Sequence, residues 1–114
     1  MSCLFHSFSK FIGKDHFEIR KEICDYLQED NVLFDNLTIS DIAEFEGISK
    51  EQYINDMRQH HTWGGAPEIK AFCELYNIGV KVLVIHDNKE IEFIPKTQTK
   101  IIKISWNGGH FEPL

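Results

Sequence analysis

The chain has 114 residues, of which 42% are hydrophobic and 26% charged, with a net charge of −6. That length fits one domain with room for a hydrophobic core, and the balance is that of an ordinary soluble globular protein. The acidic charge argues against a nucleic-acid binder, which needs a basic surface to meet phosphates. No apolar run is long enough to span a bilayer, and no secretory pattern appears, because Lys10 and Lys14 interrupt the early apolar residues. Cys3, Cys24 and Cys73 are odd in number and lack C-x-x-C spacing. Free thiols in a reducing, cytoplasmic setting are therefore expected, with no membrane partner.

Residues 3–11 are expected to form a short helix with Leu4, Phe5, Phe8 and Phe11 facing inward, ended by Gly13. Asp15 is placed to cap a second helix reaching about residue 29, whose apolar face is Ile19, Ile23, Cys24 and Leu27. Asp15, Glu18 and Glu22 read as its solvated side, and residues 32–37 as a connector with apolar anchors. Ser40 is expected to cap a short helix through Phe45, stopped by Gly47. Ser49 to Gln52 fits a capping box, with Ile48 and Tyr53 as a hydrophobic staple, for a helix ending near His60. Pro67 suits the first turn of the next helix, where Ile69, Phe72, Cys73 and Tyr76 share a face. Asn77 and Gly79 stop it.

The period then changes. Residues 80–85 read as a buried strand, 90–94 as a second after an Asp87-Asn88 turn, and 101–106 as a third. Asn107-Gly108-Gly109 forms a tight turn into a final strand from His110. Helices first and strands afterwards make the class α+β.

Cys3 heads a helix, where unpaired N–H groups and the helix dipole favour an anion, so a reactive thiolate is one reading. His110 and Glu112, two apart on one strand, point the same way, so the carboxylate can hold the imidazole in one tautomer while Phe111 turns to the apolar side. Nucleophile, base and orienter are then present if the fold joins the two ends of the chain. The plainer alternative is a terminal cysteine without a role and a surface His–Glu pair. His6, His60 and His61 are expected to pack or face water. Cys24 and Cys73 lie on apolar faces without metal-ligand spacing, so neither a metal site nor a cofactor is expected.

Three stretches in order are more specific: Cys-Leu-Phe-x-Ser at 3–7, Tyr-x-x-x-Met-x(5)-Trp-Gly-Gly-x-x-Glu-Ile-x-Ala at 53–71, and Ile-x-Trp ahead of His-Phe-Glu at 104–112. Together they resemble the ovarian-tumour (OTU) cysteine proteases, over effectively the whole of residues 1–114 as one domain. The resemblance implies a papain-like fold of helices followed by a small, mostly antiparallel sheet. It implies a monomeric thiol protease that hydrolyses the isopeptide bond between the C-terminal glycine of ubiquitin, or of a ubiquitin-like protein, and a lysine. Cys3 matches the nucleophile, His110 the general base and Glu112 the orienter. Trp63 matches the tryptophan of a loop near the cleft, and Gly64 and Gly65 would let backbone approach a substrate tail ending in two glycines.

The family usually reads Asp-Gly-Asn-Cys at the nucleophile, a loop that helps bind the oxyanion. Here Ser2 stands in the asparagine's place, within the substrate-binding set, and the Asp-Gly pair is absent. The domain therefore reads as truncated just before Cys3. The alternatives that follow are a weak or inactive ubiquitin-binding remnant, and a protease fragment of a larger polyprotein, viral ones included.

Overall fold

The computed structural model of the protein describes residues 3–98 and 100–114. Among these, five helices come first: α1 (Cys3–Ile12), α2 (His16–Gln28), α3 (Ile39–Phe45), α4 (Lys50–Met57) and α5 (Ala66–Tyr76). Four strands follow: β1 (Ile78–Val84), β2 (Lys89–Phe93), β3 (Lys100–Trp106) and β4 (Phe111–Pro113). The α+β expectation holds.

The apolar stripes fold as their spacing dictates. Leu4, Phe5 and Phe8 of α1, and Ile19, Ile23, Cys24 and Leu27 of α2, are all buried. Phe8 stacks on Phe72 of α5 with ring centroids 3.8 Å apart, joining the helical layer at the centre of the core. Gly13, at φ +67°, ends α1 in the left-handed region where a side chain would be strained. Asn77 does the same for α5 at φ 56°. Gly79 plays no part in that stop, because it already belongs to β1.

Several local expectations shift. Thr38 caps α3, not Ser40: its side chain accepts from the Asp41 N–H, and its own N–H donates to the Asp41 carboxylate at 3.0 Å. Ser40, inside the helix, instead donates to Asp30 at 2.8 Å. Ser49 accepts from the Gln52 N–H as expected, but the Gln52 amide turns to Asp56, so the reciprocal half of that box is unused. Asp15 occupies the N-cap of α2 without a capping bond from its side chain. Glu22 is not simply solvated, because it accepts from the Tyr76 hydroxyl at 2.6 Å and pairs with Lys14. Helix α4 stops at Met57, short of His60.

The sheet order is β2-β1-β3-β4. Its outer pairs are antiparallel, while the central β1–β3 pair is parallel, from Ile78↔Lys100 to Val84↔Trp106. The sheet is therefore mixed: β2 carries the chain back to the start of β1, so β3 runs alongside β1 in the same direction. Nor is β1 buried on both faces. Val80, Val82 and Val84 are covered, but Lys81 reaches Glu90 and Glu92 on the other side and Ile85 is exposed. Helix α1 packs beside β4, which brings the two ends of the chain together.

Candidate active site

Cys3 is the first residue of α1, where the helix leaves N–H groups without carbonyl partners. Its half-buried sulfur accepts from the Phe111 N–H at 3.5 Å, a contact across 108 residues of sequence. One turn on, Ser7 donates to the Cys3 carbonyl at 2.9 Å and closes the first turn.

His110 sits in the loop just before β4, one residue ahead of the strand expected to begin there. Its Nε2 lies 3.4 Å from Glu112 Oε1, so the two side chains do share a face. That leaves Nδ1 as the ring nitrogen free of the carboxylate. Phe111, between them, turns inward and stacks on Trp106 at 6.2 Å. Cys3, His110, Glu112 and Trp63 line one cleft of about 640 Å³, together with His6 and Lys10 of α1. Among the described residues no hydrogen bond joins the Cys3 thiol to the His110 ring. His6 is exposed and lays its ring on His16 at 3.8 Å. Burial and the neighbouring His6 together lower the pKa of His16.

Trp63 is 53% exposed and reaches the His110 loop: a Cβ on Gly109 would stand 3.7 Å from its ring. The loop that carries it is fastened from beneath. Arg20, on the apolar face of α2 and 3% exposed, donates to the carbonyls of Met57 at 2.7 Å, His60 at 3.2 Å and Thr62 at 2.9 Å. The same guanidinium lies 4.1 Å over the ring of Phe5, so one cation ties the Trp63 loop to the helix that starts at Cys3. Burial lowers the Arg20 pKa.

Glu68 is the second fastening. It is 1% exposed, and it accepts from the Gly65 N–H and the Tyr53 hydroxyl, each at 2.7 Å. Burial pushes its carboxyl up to about 7, against the pull of those two donors. Burial, then the charge and hydrogen bond of Glu68, push the Tyr53 hydroxyl upward. The two glycines also differ. A Cβ on Gly64 would stand 2.7 Å from Leu4 Cδ2 and 3.1 Å from Phe5, whereas one on Gly65 would meet nothing closer than Glu68 Oε1 at 3.9 Å. Gly64 thus serves a close approach to the protein's own α1. Gly65 leaves its Cα face open and spends its N–H on Glu68.

Ser2 lies outside the described residues. Cys24 and Cys73 are fully buried, and burial pushes both thiols up to about 12. Among the described residues no group of three or more His, Cys, Asp or Glu side chains is placed to hold a metal ion, and no helix is long and apolar enough to cross a membrane. Sequence reasoning missed Arg20 and Glu68 as parts of the site. A signal existed for each: a cation set among Ile19, Ile23 and Cys24 at helical spacing, and the glutamate of the Trp-Gly-Gly-x-x-Glu stretch.

The family model for the OTU-like cysteine protease matches residues 2–109. The chain belongs to that family. The match stops one residue before His110, so neither His110 nor Glu112 falls within it. No curated protein sequence matched this chain. Among solved structures, an OTU domain in complex with ubiquitin superposes with a TM-score of 0.81 at 22% identity, covering 98% of this chain and 62% of that one. The chain therefore spans less than two thirds of that relative. An OTU deubiquitinase from Wolbachia pipientis wMel bound to ubiquitin gives 0.63 at 18% identity, covering 99% and 88%. The viral OTU domain protease from Dera Ghazi Khan virus gives 0.68 at 17% identity, covering 98% and 72%. At these identities the structures establish a shared fold, including the mixed sheet.

Proposed function

We propose that this OTU domain is a thiol-dependent deubiquitinase that hydrolyses the isopeptide bond at the C-terminus of ubiquitin. Cys3 is the nucleophile, His110 the general base and Glu112 its orienter. The observation that carries this reading is the convergence of the two chain ends, with the Phe111 N–H on the Cys3 sulfur and the His110–Glu112 pair in the same cleft.

In this mechanism the Glu112 carboxylate accepts the Nε2 proton, so Nδ1 offers its lone pair toward the thiol. The thiol proton moves to Nδ1, and the sulfur attacks the carbonyl carbon of the terminal glycine. Cys3's own N–H, at the open end of α1, is a donor for the oxyanion. The imidazolium returns its proton to the lysine amine as the C–N bond breaks, leaving a thioester. Water, deprotonated by the same ring, then releases ubiquitin and restores the thiol. Trp63 forms a wall of the cleft along which the glycine tail lies, with Gly64 and Gly65 in the loop that carries it, and Ser2 belongs to the same substrate-binding set.

The test is cleavage of isopeptide-linked diubiquitin, followed by the appearance of free ubiquitin. Wild-type protein should cut it, while Cys3→Ala and His110→Ala should not. Ubiquitin bound at micromolar affinity but left uncut by the wild type would replace this reading with a binding module. Neither binding nor cleavage would remove ubiquitin as the partner.

A further inference from the structure

We infer that Asn107 and His86 are positioning residues for His110, acting through the loop that carries it. The inference rests on the reading of His110 as the base. His110 is a half-exposed side chain in the loop just before β4, so core packing does not fix its place. Backbone hydrogen bonds must do it instead, and they converge on Asn107.

The Asn107 side-chain oxygen accepts from the N–H of Gly109 at 3.1 Å and from that of His110 at 2.9 Å. The Asn107 backbone N–H donates to the His110 carbonyl at 3.2 Å. Both backbone polar groups of His110 are thus bonded to one residue. The turn between them needs Gly108 at φ +101°, where a side chain would be strained.

The bracket is itself held from a second element. His86, in the turn between β1 and β2, donates from Nε2 to the Asn107 carbonyl at 2.6 Å. Its ring lies along the loop, 3.6 Å from where a Gly108 Cβ would stand. Because the acceptor is a carbonyl, Nε2 is the ring nitrogen that carries the proton in this contact. The Ile85 N–H donates to the Trp106 carbonyl at 3.1 Å, so the sheet delivers His86 to the loop in register. Neither Asn107 nor His86 lines the cleft that holds Cys3, so neither is placed to touch the reacting atoms.

The consequence is kinetic. A base displaced by about 1 Å can cost on the order of a hundredfold in rate while leaving substrate binding intact. Two readouts separate positioning from bulk stability. The first is alkylation of Cys3 by iodoacetamide, mapped by mass spectrometry, at pH 6 relative to pH 9. Alkylation needs the thiolate, which a paired imidazolium favours in acid and which alkali supplies without one. The second is kcat and KM on a ubiquitin C-terminal fluorogenic amide. The titratable and charged groups lining the cleft around Cys3 are His6, Lys10, His110 and Glu112, and none is altered in the variants.

Asn107→Ala is expected to cut the pH 6 alkylation rate and kcat each about tenfold, with the pH 9 rate and KM within about twofold. Asn107→Asp, which keeps an acceptor for both N–H groups, should restore them. His86→Ala should cost roughly threefold and His86→Gln, which keeps a donor, should recover most of it. If Asn107→Ala fails to fold, the His86 pair carries the same test. Wild-type kcat and alkylation ratio in folded Asn107→Ala, or no recovery in Asn107→Asp and His86→Gln, would overturn the inference. A wild-type Cys3 that alkylates at pH 6 no faster than a free thiol would remove the Cys3–His110 pairing and the inference with it. Failure on the ubiquitin amide alone would remove the substrate, while the alkylation ratio still decides the role of Asn107.

Discussion

The segment leading to Trp63 and the segment ending at His110 meet at Gly109, and they are held in opposite ways. The Trp63 loop is held from inside the molecule. Its carbonyls at Met57, His60 and Thr62 are taken by a buried cation, its Gly65 N–H by a buried carboxylate, and its Gly64 by the side chains of α1. The His110 loop is held at the surface, by its own Asn107, by the exposed His86 and by Glu112. Buried polar contacts are costly to leave unmade, whereas exposed ones exchange with water at little net cost. One side of the cleft is therefore part of the fold's stability, and the other is an attachment on which that stability depends little.

Arg20→Ala should produce the largest effect. It removes the donor from three carbonyls, a buried one at Met57 and partly buried ones at His60 and Thr62, so a loss on the order of 3–5 kcal/mol is expected in urea unfolding. Arg20→Lys should recover only part of this, because one ammonium does not match the spread of a guanidinium fork. A wild-type midpoint for Arg20→Ala would break the contrast between the two loops.

Gly64→Ala should follow. Its methyl must displace the packed ends of Leu4 and Phe5, so the expected cost is about 1–3 kcal/mol, with reduced turnover as α1 shifts. Gly65→Ala makes only an ordinary contact with Glu68 Oε1 at 3.9 Å and should cost no more than about 1 kcal/mol, from the weaker N-cap. Thermal unfolding of the pair reads the difference, and equal losses would mean that the close approach to α1 does not constrain the loop.

How much of this was legible in the sequence depends on the range of each interaction. The stripes of α1, α2 and α5, the stop at Asn77 and the pairing of His110 with Glu112 are written within a few residues, and they appear as expected. The Trp-Gly-Gly stretch was visible as a pattern, but its cause was not. Arg20 grips carbonyls from 37 to 42 residues away, and no local period records that. Gly64 looked like freedom for the loop to bend or meet a substrate, and only the packed fold shows Leu4 against it. The parallel β1–β3 pair was hidden for the same reason, since which strand neighbours which is a property of the whole chain. His86 carried no signal at all, being an exposed histidine in a turn.

Glu68 offers a test through pH. Its carboxyl ionises near 4.5 in an ordinary setting, and burial moves it to about 7. Between those values the folded chain keeps a proton that the unfolded chain has released, so this group makes stability fall as pH rises from about 4.5 to about 7. Glu68→Gln has no proton to lose. Its amide can accept from the Gly65 N–H and donate to the Tyr53 oxygen, so its stability relative to wild type should improve across that interval. Denaturation midpoints from pH 4.5 to pH 8 check this, and parallel curves would place the titration of Glu68 elsewhere.

Glu112→Gln should give the smallest change. Both partners of the pair are exposed, so stability should hold within about 1 kcal/mol and kcat should fall no more than roughly fivefold, since an amide oxygen still accepts the imidazole proton. A loss of stability as large as that of Gly64→Ala would show that the His110 side is also part of the core.

The central claim is that Cys3, alone of the three thiols, is activated by the far end of the chain. Incubation with ubiquitin bearing a C-terminal electrophile, followed by intact-mass and peptide mapping, tests it most directly. The expected result is one added ubiquitin, located on Cys3, lost in Cys3→Ala and strongly slowed in His110→Ala. An adduct on the buried Cys24 or Cys73, or labelling that persists in Cys3→Ala, would contradict it.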